Sequence, residues 1–307
     1  MKVALLGPSL KGLGRPIPVG LDSGLKIRGK KTLSTADFSR KESLINAIVN
    51  SVNNIIATHG LVKSDILGVG LGLPGPIDVD RGIVHFFPNI PGWLRVNLKK
   101  ILEKRLKLAV FMDNDANLMA LAEYKLGAAR GSKNAVCITL GTGVGGGIII
   151  EGRLYRGSSN AAGEIGHLPI NENGPECNCG GLACLESYIG NRRVIREVKK
   201  IFKRDVSLEE LSRLAKNNNK KAIKIWTSIG KKLGIALVGI VNVLNPDCIV
   251  IGGGVANAGR VLFGEVEETI LCRAMIVQAR AVKVRKAKLG NDAGVIGAAI
   301  LVKENIV

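Results

Sequence analysis

The sequence predicts an α/β protein that is divided into two domains. With 307 residues the chain is longer than most single domains, which span about 50 to 200 residues. Hydrophobic residues make up 46% of the chain, which supplies a large core and excludes a mainly disordered protein. Segments with helical periodicity alternate with short apolar runs of the kind that form buried strands. This alternation is typical of a sheet that is covered by helices.

The first predicted elements follow an irregular beginning. Glycine and proline recur through the first 35 residues and interrupt any regular pattern there. From Ser39 onward, apolar side chains at three- and four-residue spacing predict a helix, namely Leu44, Ile45, Ile48, Val49, Val52, Ile55 and Ile56. The elements predicted next are a buried strand over 66–73, a helix over 98–106, a strand over 108–112 and a helix that 113–117 opens and that runs through Tyr124.

The second half of the chain predicts a glycine-rich hairpin followed mostly by helices. Strands over 135–140 and 146–150 are joined by a glycine-rich turn and followed by a loop-rich stretch over 155–184. The elements predicted after it are helices over 184–203, 207–216 and 220–244, a strand over 248–251 that ends in three glycines, a further helix before 281–287, and a helical tail over 294–302.

The charge of the chain indicates a solvated surface rather than a nucleic-acid partner. The 44 lysine and arginine residues outnumber the 25 acidic residues, which gives a net charge of +19 at pH 7. Such a charge can attract nucleic acid, anionic lipid or phosphorylated metabolites. However, the basic residues occur in short scattered runs that are not interleaved with aromatic residues, so we expect no nucleic-acid partner.

The compartment follows from the apolar runs and the cysteine content. No apolar run reaches the roughly 18 residues that span a bilayer, and the first residues do not resemble a secretory leader. We therefore expect a cytoplasmic protein that has no membrane association. In a reducing compartment, clustered cysteine residues usually bind metal rather than form disulfides.

Three cysteine residues and one histidine form a candidate metal site. Cys177, Cys179 and Cys184 lie within eight residues, close enough to fill three corners of a tetrahedral zinc site. His167, ten residues upstream in the same loop-rich stretch, is the candidate for the fourth corner. The alternative is three surface thiols and an unrelated histidine. We expect a structural zinc ion, because this loop has few large apolar residues to stabilise it.

The glycine-rich turn over 140–147 is a candidate phosphate-binding element. Glycines after a strand let backbone N–H groups approach phosphate oxygens, and Thr142 adds a hydroxyl donor. An ordinary hairpin turn is the alternative, because glycine is common there too. Dinucleotide-binding glycine loops are followed by a helix, whereas residues 147–150 continue as a strand, so that fingerprint is disfavoured.

Polar residues after the strand over 108–112 are candidates for ligand binding. Asn114 and Asp115 stand between that strand and the next helix, where α/β proteins often bind their ligands. A carboxylate at this place is either a general base or a helix N-cap. Glu164 and Glu186 lie beside the candidate metal loop, and ion pairing or surface exposure is the alternative explanation for them.

Six segments share the pattern of one family: 72–75, 88–93, 113–117, 140–147, 162–167 and 177–186. Together they resemble the ROK family of bacterial sugar kinases and sugar-responsive repressors, from about Leu67 to the C terminus. The last segment follows the family's Cys-x-Cys-Gly-x-x-Gly-Cys-x-Glu, except that Ala183 replaces the last glycine. Because alanine is small, we expect the zinc loop to keep its shape.

The resemblance implies an actin-like (ribonuclease-H-like) fold with two α/β lobes and the active site in the cleft. We assign residues 1–116 to a small lobe that the C-terminal helix over 290–307 completes. Residues 117–289 are assigned to a large lobe that carries the zinc loop.

The resemblance also implies roles for the candidate residues. Asp115 would act as the general base that takes a proton from a sugar hydroxyl. The residues implied for the other sugar hydroxyls are Asn89, Asn114, Glu164, His167 and Glu186. Those implied for ATP are Gly141, Thr142 and Gly143 at the phosphates and Gly252, Gly253 and Gly254 along the adenosine. Magnesium is expected with ATP, and His167 would both ligate zinc and orient the sugar.

The N-terminal phosphate loop departs from the family pattern. ROK kinases carry Asp-x-Gly-Gly-Thr after their first strand, a turn that holds phosphate and whose aspartate lies near magnesium. The nearest segment here, Val19–Lys26, lacks the second glycine and the threonine. Asp22 is the ATP-binding candidate within this segment.

These observations predict an ATP-dependent hexose kinase that phosphorylates a primary hydroxyl. The segment 88–93 favours glucose, by its resemblance to the glucokinase members of the family. The alternative is a non-catalytic, sugar-binding regulator of the same family, whose repressors carry an added DNA-binding region before the first lobe. The expected partners are a hexose and ATP, and we expect a homo-oligomer, either a dimer or a tetramer.

Overall fold

The computed structural model describes residues 2–6, 38, 40–87 and 92–306. Two candidates, Asp22 and Asn89, lie outside the described residues. The chain forms two compact units. Unit 1 comprises the described parts of Met1–Ala122, Arg156–Ala162 and Asp292–Val307, and unit 2 comprises Glu123–Tyr155 and Gly163–Asn291. The lobe boundaries inferred from the sequence stay a prediction.

The strands of the described residues form three sheets. In chain order they are β1 Lys2–Leu6, β2 Gly68–Leu73, β3 Ile77–Asp78, β4 Ile83–Phe86, β5 Leu94–Asn97, β6 Val110–Asn114, β7 Ala135–Leu140, β8 Val144–Ile150, β9 Arg153–Tyr155, β10 Cys248–Gly252 and β11 Lys283–Lys286. The α-helices of the same residues are α1 Lys41–Thr58, α2 Leu98–Leu106, α3 Asp115–Leu126, α4 Leu185–Ile189, α5 Asn191–Phe202, α6 Leu208–Lys216, α7 Lys220–Leu244, α8 Arg260–Arg273, α9 Ile276–Ala281 and α10 Ala293–Ile306.

Unit 1 is built around the sheet β1-β2-β6, in which β1 is antiparallel and β6 parallel to β2. Leu44, Ile48 and Val52 follow one another at four-residue spacing, so they share one face of α1 and are fully buried in the core of this unit. The helix α10 lies close against β2, because a Cβ on Gly70 would collide with the backbone of Ala298. α10 therefore packs directly on the sheet of unit 1.

Unit 2 contains the sheet β11-β10-β7-β8-β9. β10 is parallel to both β7 and β11, whereas β8 is antiparallel to β7 and β9. Within the described residues, α7 alone is long and apolar enough to cross a membrane by length and composition. Its fully buried side chains, Trp226, Leu233, Leu237 and Val241, join the core of unit 2, as in a core helix of a globular protein.

The predicted α/β class is confirmed, and so are most of the predicted elements. The single helix predicted over 184–203 is wrong, because Gly190 is extended (φ −59°, ψ 141°) and separates α4 from α5. The strands β1 and β3–β5 were not predicted. They have two to five residues each, which is too short for a periodic pattern to stand out.

Candidate functional site

The predicted general base stands at the junction of β6 and α3. The parallel pairing of β2 with β6 sets Leu73 beside Asn114, so the turns that follow both strands lie at one edge of the sheet. The side-chain Nδ2 of Asn114 donates to the backbone oxygen of Gly75 at 3.3 Å and joins these turns. Asp115 is the first residue of α3 and is exposed, so a ligand can reach its carboxylate.

Asn114 makes an N-cap interaction at the start of α3. The backbone N–H of Ala116 donates to Asn114 Oδ1 at 2.8 Å, as expected of a capping side chain. Asp115 follows inside the first turn of the helix, where the helix dipole favours a negative charge. Asn114 therefore stands at the N-cap position of α3, and both ends of its side-chain amide already have a protein partner.

The predicted phosphate-binding turn is the loop of a β-hairpin. β7 and β8 pair up to Leu140 and Val144, which leaves Gly141, Thr142 and Gly143 as the connection. The backbone N–H of Gly141 donates to the oxygen of Gly143 at 2.9 Å and closes the turn. Because β8 follows directly, the prediction that this is not a helix-forming dinucleotide loop is confirmed.

The carboxylate of Glu186 is held against this turn. Glu186 Oε2 accepts the backbone N–H of Val144 at 2.8 Å. A Cβ on Gly143 would collide with the same oxygen, so a larger residue at that position would displace the Glu186 carboxylate from the turn. Glu186 lies in the first turn of α4, two residues after Cys184, so its position depends on the cysteine loop as well as on the hairpin.

The glycines after β10 lie next to the same turn. β10 runs parallel to β7, with Gly252 opposite Thr139, so both strands end at one edge of the sheet. Gly253 adopts a φ of 88°, and a Cβ there would collide with the backbone of Leu140, the residue that precedes the hairpin turn. Unit 2 therefore brings together the ATP-binding candidates that the structure describes.

The four predicted metal ligands form one cluster, whose ligand atoms all lie within 4.8 Å of one another. Cys177 Sγ is 3.6 Å from His167 Nδ1, and Cys179 Sγ is 3.7 Å from Cys184 Sγ. A tetrahedral ion with Zn–S bonds near 2.3 Å and a Zn–N bond near 2.0 Å would set such pairs roughly 3.6 Å and 3.8 Å apart. The donor set and its spacing therefore fit a four-coordinate zinc ion.

The thiols of this cluster differ in their acidity. Burial acts to raise the pKa of Cys177, but hydrogen bonds with the backbone and side chain of Cys179 and with Ser187 and His167 lower that pKa to about 7. Burial, together with the neighbouring thiols of Cys179 and Cys177, raises the pKa of Cys184 to about 12. Near neutral pH, Cys177 is thus partly a thiolate, the form in which cysteine binds metal.

His167 faces the cluster with one ring nitrogen and Glu164 with the other. Its Nδ1 lies toward Cys177, and its Nε2 is 3.8 Å from Glu164 Oε2. A carboxylate behind a metal-binding histidine commonly orients the ring. Ile165, which is 3% exposed, anchors the turn between them in the core of unit 2. The ring therefore links the cluster to the carboxylate of Glu164.

Each unit holds a distinct part of the predicted site. Asn114 and Asp115 belong to unit 1, and the hairpin turn, the glycines after β10, the metal cluster, Glu164 and Glu186 belong to unit 2. The sequence did not reveal the ion pair between Arg156 and Asp113, whose Nη2 and Oδ2 atoms are 2.7 Å apart. The two residues are 43 positions apart, and no local pattern links them.

Comparison with protein families and curated proteins gives consistent matches. The model of the ROK family matches residues 21–305. The glucokinase of Thermotoga maritima is 35% identical over 99% of this chain and 99% of its own. The glucokinase of Halalkalibacterium halodurans is 40% identical over 84% of this chain and 82% of its own. A putative xylose repressor of Caldicellulosiruptor sp. is 31% identical over 86% of this chain and 69% of its own.

Solved structures with the same family description share the fold. The ROK hexokinase from Thermus thermophilus superimposes with a TM-score of 0.73 at 34% identity, covering 87% of this chain and 88% of its own. A ROK family glucokinase from Streptomyces griseus, solved in complex with glucose and AMPPNP, gives a TM-score of 0.74 at 30% identity, covering 87% of this chain and 89% of its own.

Proposed function

The chain belongs to the ROK family, and we propose that it is an ATP-dependent hexose kinase whose substrate is glucose. Its fold is the actin-like α/β fold of the ROK glucokinases. The two glucokinases at 35% and 40% identity support phosphorylation of a sugar. The complex of the Streptomyces griseus glucokinase with glucose and AMPPNP supports this pair of substrates.

The observation that carries the proposal is the hydrogen bond between Glu186 and the phosphate hairpin. In the proposed complex, Glu186 binds a sugar hydroxyl through its carboxylate, while the turn Gly141–Gly143 contacts ATP phosphates. Glu186 Oε2 accepts the N–H of Val144, the residue that follows the turn. This hydrogen bond joins the proposed sugar-binding carboxylate to the proposed phosphate-binding turn within unit 2. An enzyme that joins sugar to phosphate needs this fixed relation between its two ligands.

The proposed chemistry is transfer of the γ-phosphoryl group to a primary hydroxyl of the sugar. Asp115 accepts the hydroxyl proton as the new oxygen–phosphorus bond forms and the bond to the β-phosphate oxygen breaks. Asn114, Glu164, His167, Glu186 and Asn89 are proposed to hold the other hydroxyls. This set of roles rests on the resemblance to the family and on the positions of the described residues.

Two metal ions belong to the proposal. Magnesium would accompany ATP and neutralise charge on its phosphates, and Asp22 is the ATP-binding candidate from the N-terminal segment. Zinc is held by His167 and the three cysteines Cys177, Cys179 and Cys184, whose spacing fits it. In this position zinc fixes the loop that carries Glu164 and Glu186 and takes no part in phosphoryl transfer.

The test is an ADP-release assay over a panel of hexoses, with wild type and Asp115→Asn. Asparagine keeps the size and hydrogen bonds of aspartate but is not basic, so we expect kcat to fall roughly 10²- to 10⁴-fold. Sugar affinity should change far less. Asp205→Asn, at an exposed position whose partner is Lys199, serves as the control and should keep wild-type turnover. Wild-type turnover in Asp115→Asn would refute the base assignment.

A sugar-binding regulator is the second candidate, and the similarity to a xylose repressor favours it. The same assay separates the two functions. Release of ADP that depends on a hexose supports the kinase, whereas calorimetric binding of a hexose without turnover supports the regulator. We further propose a cytoplasmic location and a homo-oligomer, either a dimer or a tetramer, which light scattering coupled to size-exclusion chromatography would measure.

A further inference from the structure

A buried ion pair supports the turn that carries Asp115. Asp113, the last residue but one of β6, has a side chain that is 1% exposed. Its Oδ2 accepts the Nε–H of Arg156 at 2.8 Å and lies 2.7 Å from Nη2 of the same guanidinium. A carboxylate this deeply buried needs a charged partner, because an unpaired ion in the protein interior is strongly unfavourable.

The other oxygen of Asp113 fixes the local backbone. Asp113 Oδ1 accepts the backbone N–H of Asn114 at 2.7 Å and the side-chain Nδ2 of Asn117 at 2.8 Å. Asn114 in turn caps α3 through Ala116 and reaches Gly75. The carboxylate of Asp113 thus ties together the end of β6 and the first turn of α3, the two sides of the position that Asp115 occupies.

Arg156 is the first residue of the segment Arg156–Ala162, which belongs to unit 1. The backbone N–H of Ala162 donates to the oxygen of Arg156 at 2.9 Å, and Asn160 Nδ2 donates to Asp80 Oδ2 at 3.2 Å. The Arg156 side chain is 27% exposed, and the Nε and Nη2 edge of its guanidinium meets Asp113. A planar guanidinium that makes two contacts with one oxygen holds that oxygen in place better than a lysine ammonium can.

We propose that Arg156 is a positioning residue for phosphoryl transfer: through Asp113 it holds the β6–α3 turn so that Asp115 meets the sugar hydroxyl. This inference rests on the proposed kinase function. Without the guanidinium, Asp113 loses both contacts at Oδ2, and the hydrogen bonds that Asn114 N–H and Asn117 Nδ2 donate to Oδ1 lose their fixed acceptor. A displacement of about 1 Å at a reacting group can lower turnover about 100-fold.

The experiment compares Arg156→Met, Arg156→Lys and the control Asn160→Gly in the full chain. Asn160→Gly removes the bond to Asp80 from the same segment and keeps the left-handed backbone of that position (φ 58°). The quantities measured are kcat, the KM for glucose and for ATP, and the melting temperature, with turnover taken per folded molecule well below the melting point.

We expect Arg156→Met to lower kcat roughly 10- to 100-fold, with the KM for ATP within about twofold of wild type. Arg156→Lys, which keeps the charge and one contact, should recover part of kcat, and Asn160→Gly should stay within about twofold. If Arg156 had only a structural role, Arg156→Met would have a lower melting temperature but an unchanged kcat per folded molecule. This result would overturn the inference. An equal loss of kcat in Asn160→Gly overturns it as well.

Three further outcomes complete the test. If Arg156→Met does not fold, Arg156→Lys decides, and wild-type kcat in that variant overturns the inference. If the wild type and Asn160→Gly turn over no hexose, the proposed kinase function fails and the inference fails with it. Active wild type beside fully active Arg156 variants refutes only the positioning role.

Discussion

Replacement of one cysteine tests the metal cluster most directly. Cys179→Ser exchanges a thiolate ligand for a hydroxyl that stays neutral and binds zinc poorly. Cys179 is exposed, so the exchange costs little packing in the core. Cys272→Ser is the matched control, because Cys272 is also an exposed free cysteine but lies outside the cluster. We expect the Cys179 variant to lose bound zinc and the Cys272 variant to keep about one ion per chain.

The loss of stability can be estimated from the size of the cooperative unit. A ligand present at about a hundred times its Kd stabilises the folded state by about 2.7 kcal/mol. Unfolding entropy is about 2.1 cal/mol/K per residue, so a lost 2.7 kcal/mol lowers the melting temperature by about 4 °C if all 307 residues unfold together. If unit 2, with roughly 160 residues, unfolds by itself, the shift is about 8 °C.

The assay combines metal analysis with thermal unfolding, each with and without EDTA. The chelator should lower the melting temperature of the wild type and of Cys272→Ser by the same few degrees and leave Cys179→Ser nearly unchanged. Equal zinc content in the two variants would refute the cluster as a structural metal site. A melting temperature of the wild type that EDTA does not change would refute it as well.

Two further substitutions probe the hairpin and the turn after β6. Gly143→Ala would displace the Glu186 carboxylate, so we expect roughly a tenfold rise in the KM for glucose, measured by steady-state kinetics with the melting temperature as the folding control. Asn114→Ala removes the cap of α3 and should lower the free energy of unfolding by about 1 kcal/mol. The same variant should also lower turnover. Asn97→Ala removes the equivalent cap of α2 and should cost similar stability without loss of turnover, so equal turnover in the two variants would contradict the role of Asn114.

The sequence predicted those elements whose signal lies within one segment. α7 was predicted with its bounds, 220–244, because its apolar periodicity runs over seven turns and an asparagine caps its start. The split between α4 and α5 was not predicted, because apolar residues recur at helical spacing both before and after Gly190. The pairing of β1 with β2 also escaped prediction, since it joins residues more than 60 positions apart.

The candidate site shows the same division between local and distant signals. The metal cluster could be predicted because its cysteines lie within eight residues and the histidine is ten residues away, and the four ligand atoms do lie together. The identity of the cap on α3 could not be decided from the sequence, since Asn114 and Asp115 are both good capping residues. The partner of Asp113 could not be found either, because Arg156 reaches it from a separate segment.

The position of the metal cluster explains how a structural ion can matter for sugar binding. Cys184 is the residue that precedes α4, and Glu186 follows it within the first turn, where it accepts the N–H of Val144. His167 lies three residues after Glu164, and its Nδ1 lies toward Cys177 while its Nε2 lies toward Glu164. An ion that joins His167 to Cys184 therefore fixes both proposed sugar-binding carboxylates from one point. Because the ion acts on their positions and not on phosphate, its loss should weaken the sugar side of the site before the hairpin, which the strands β7 and β8 hold independently.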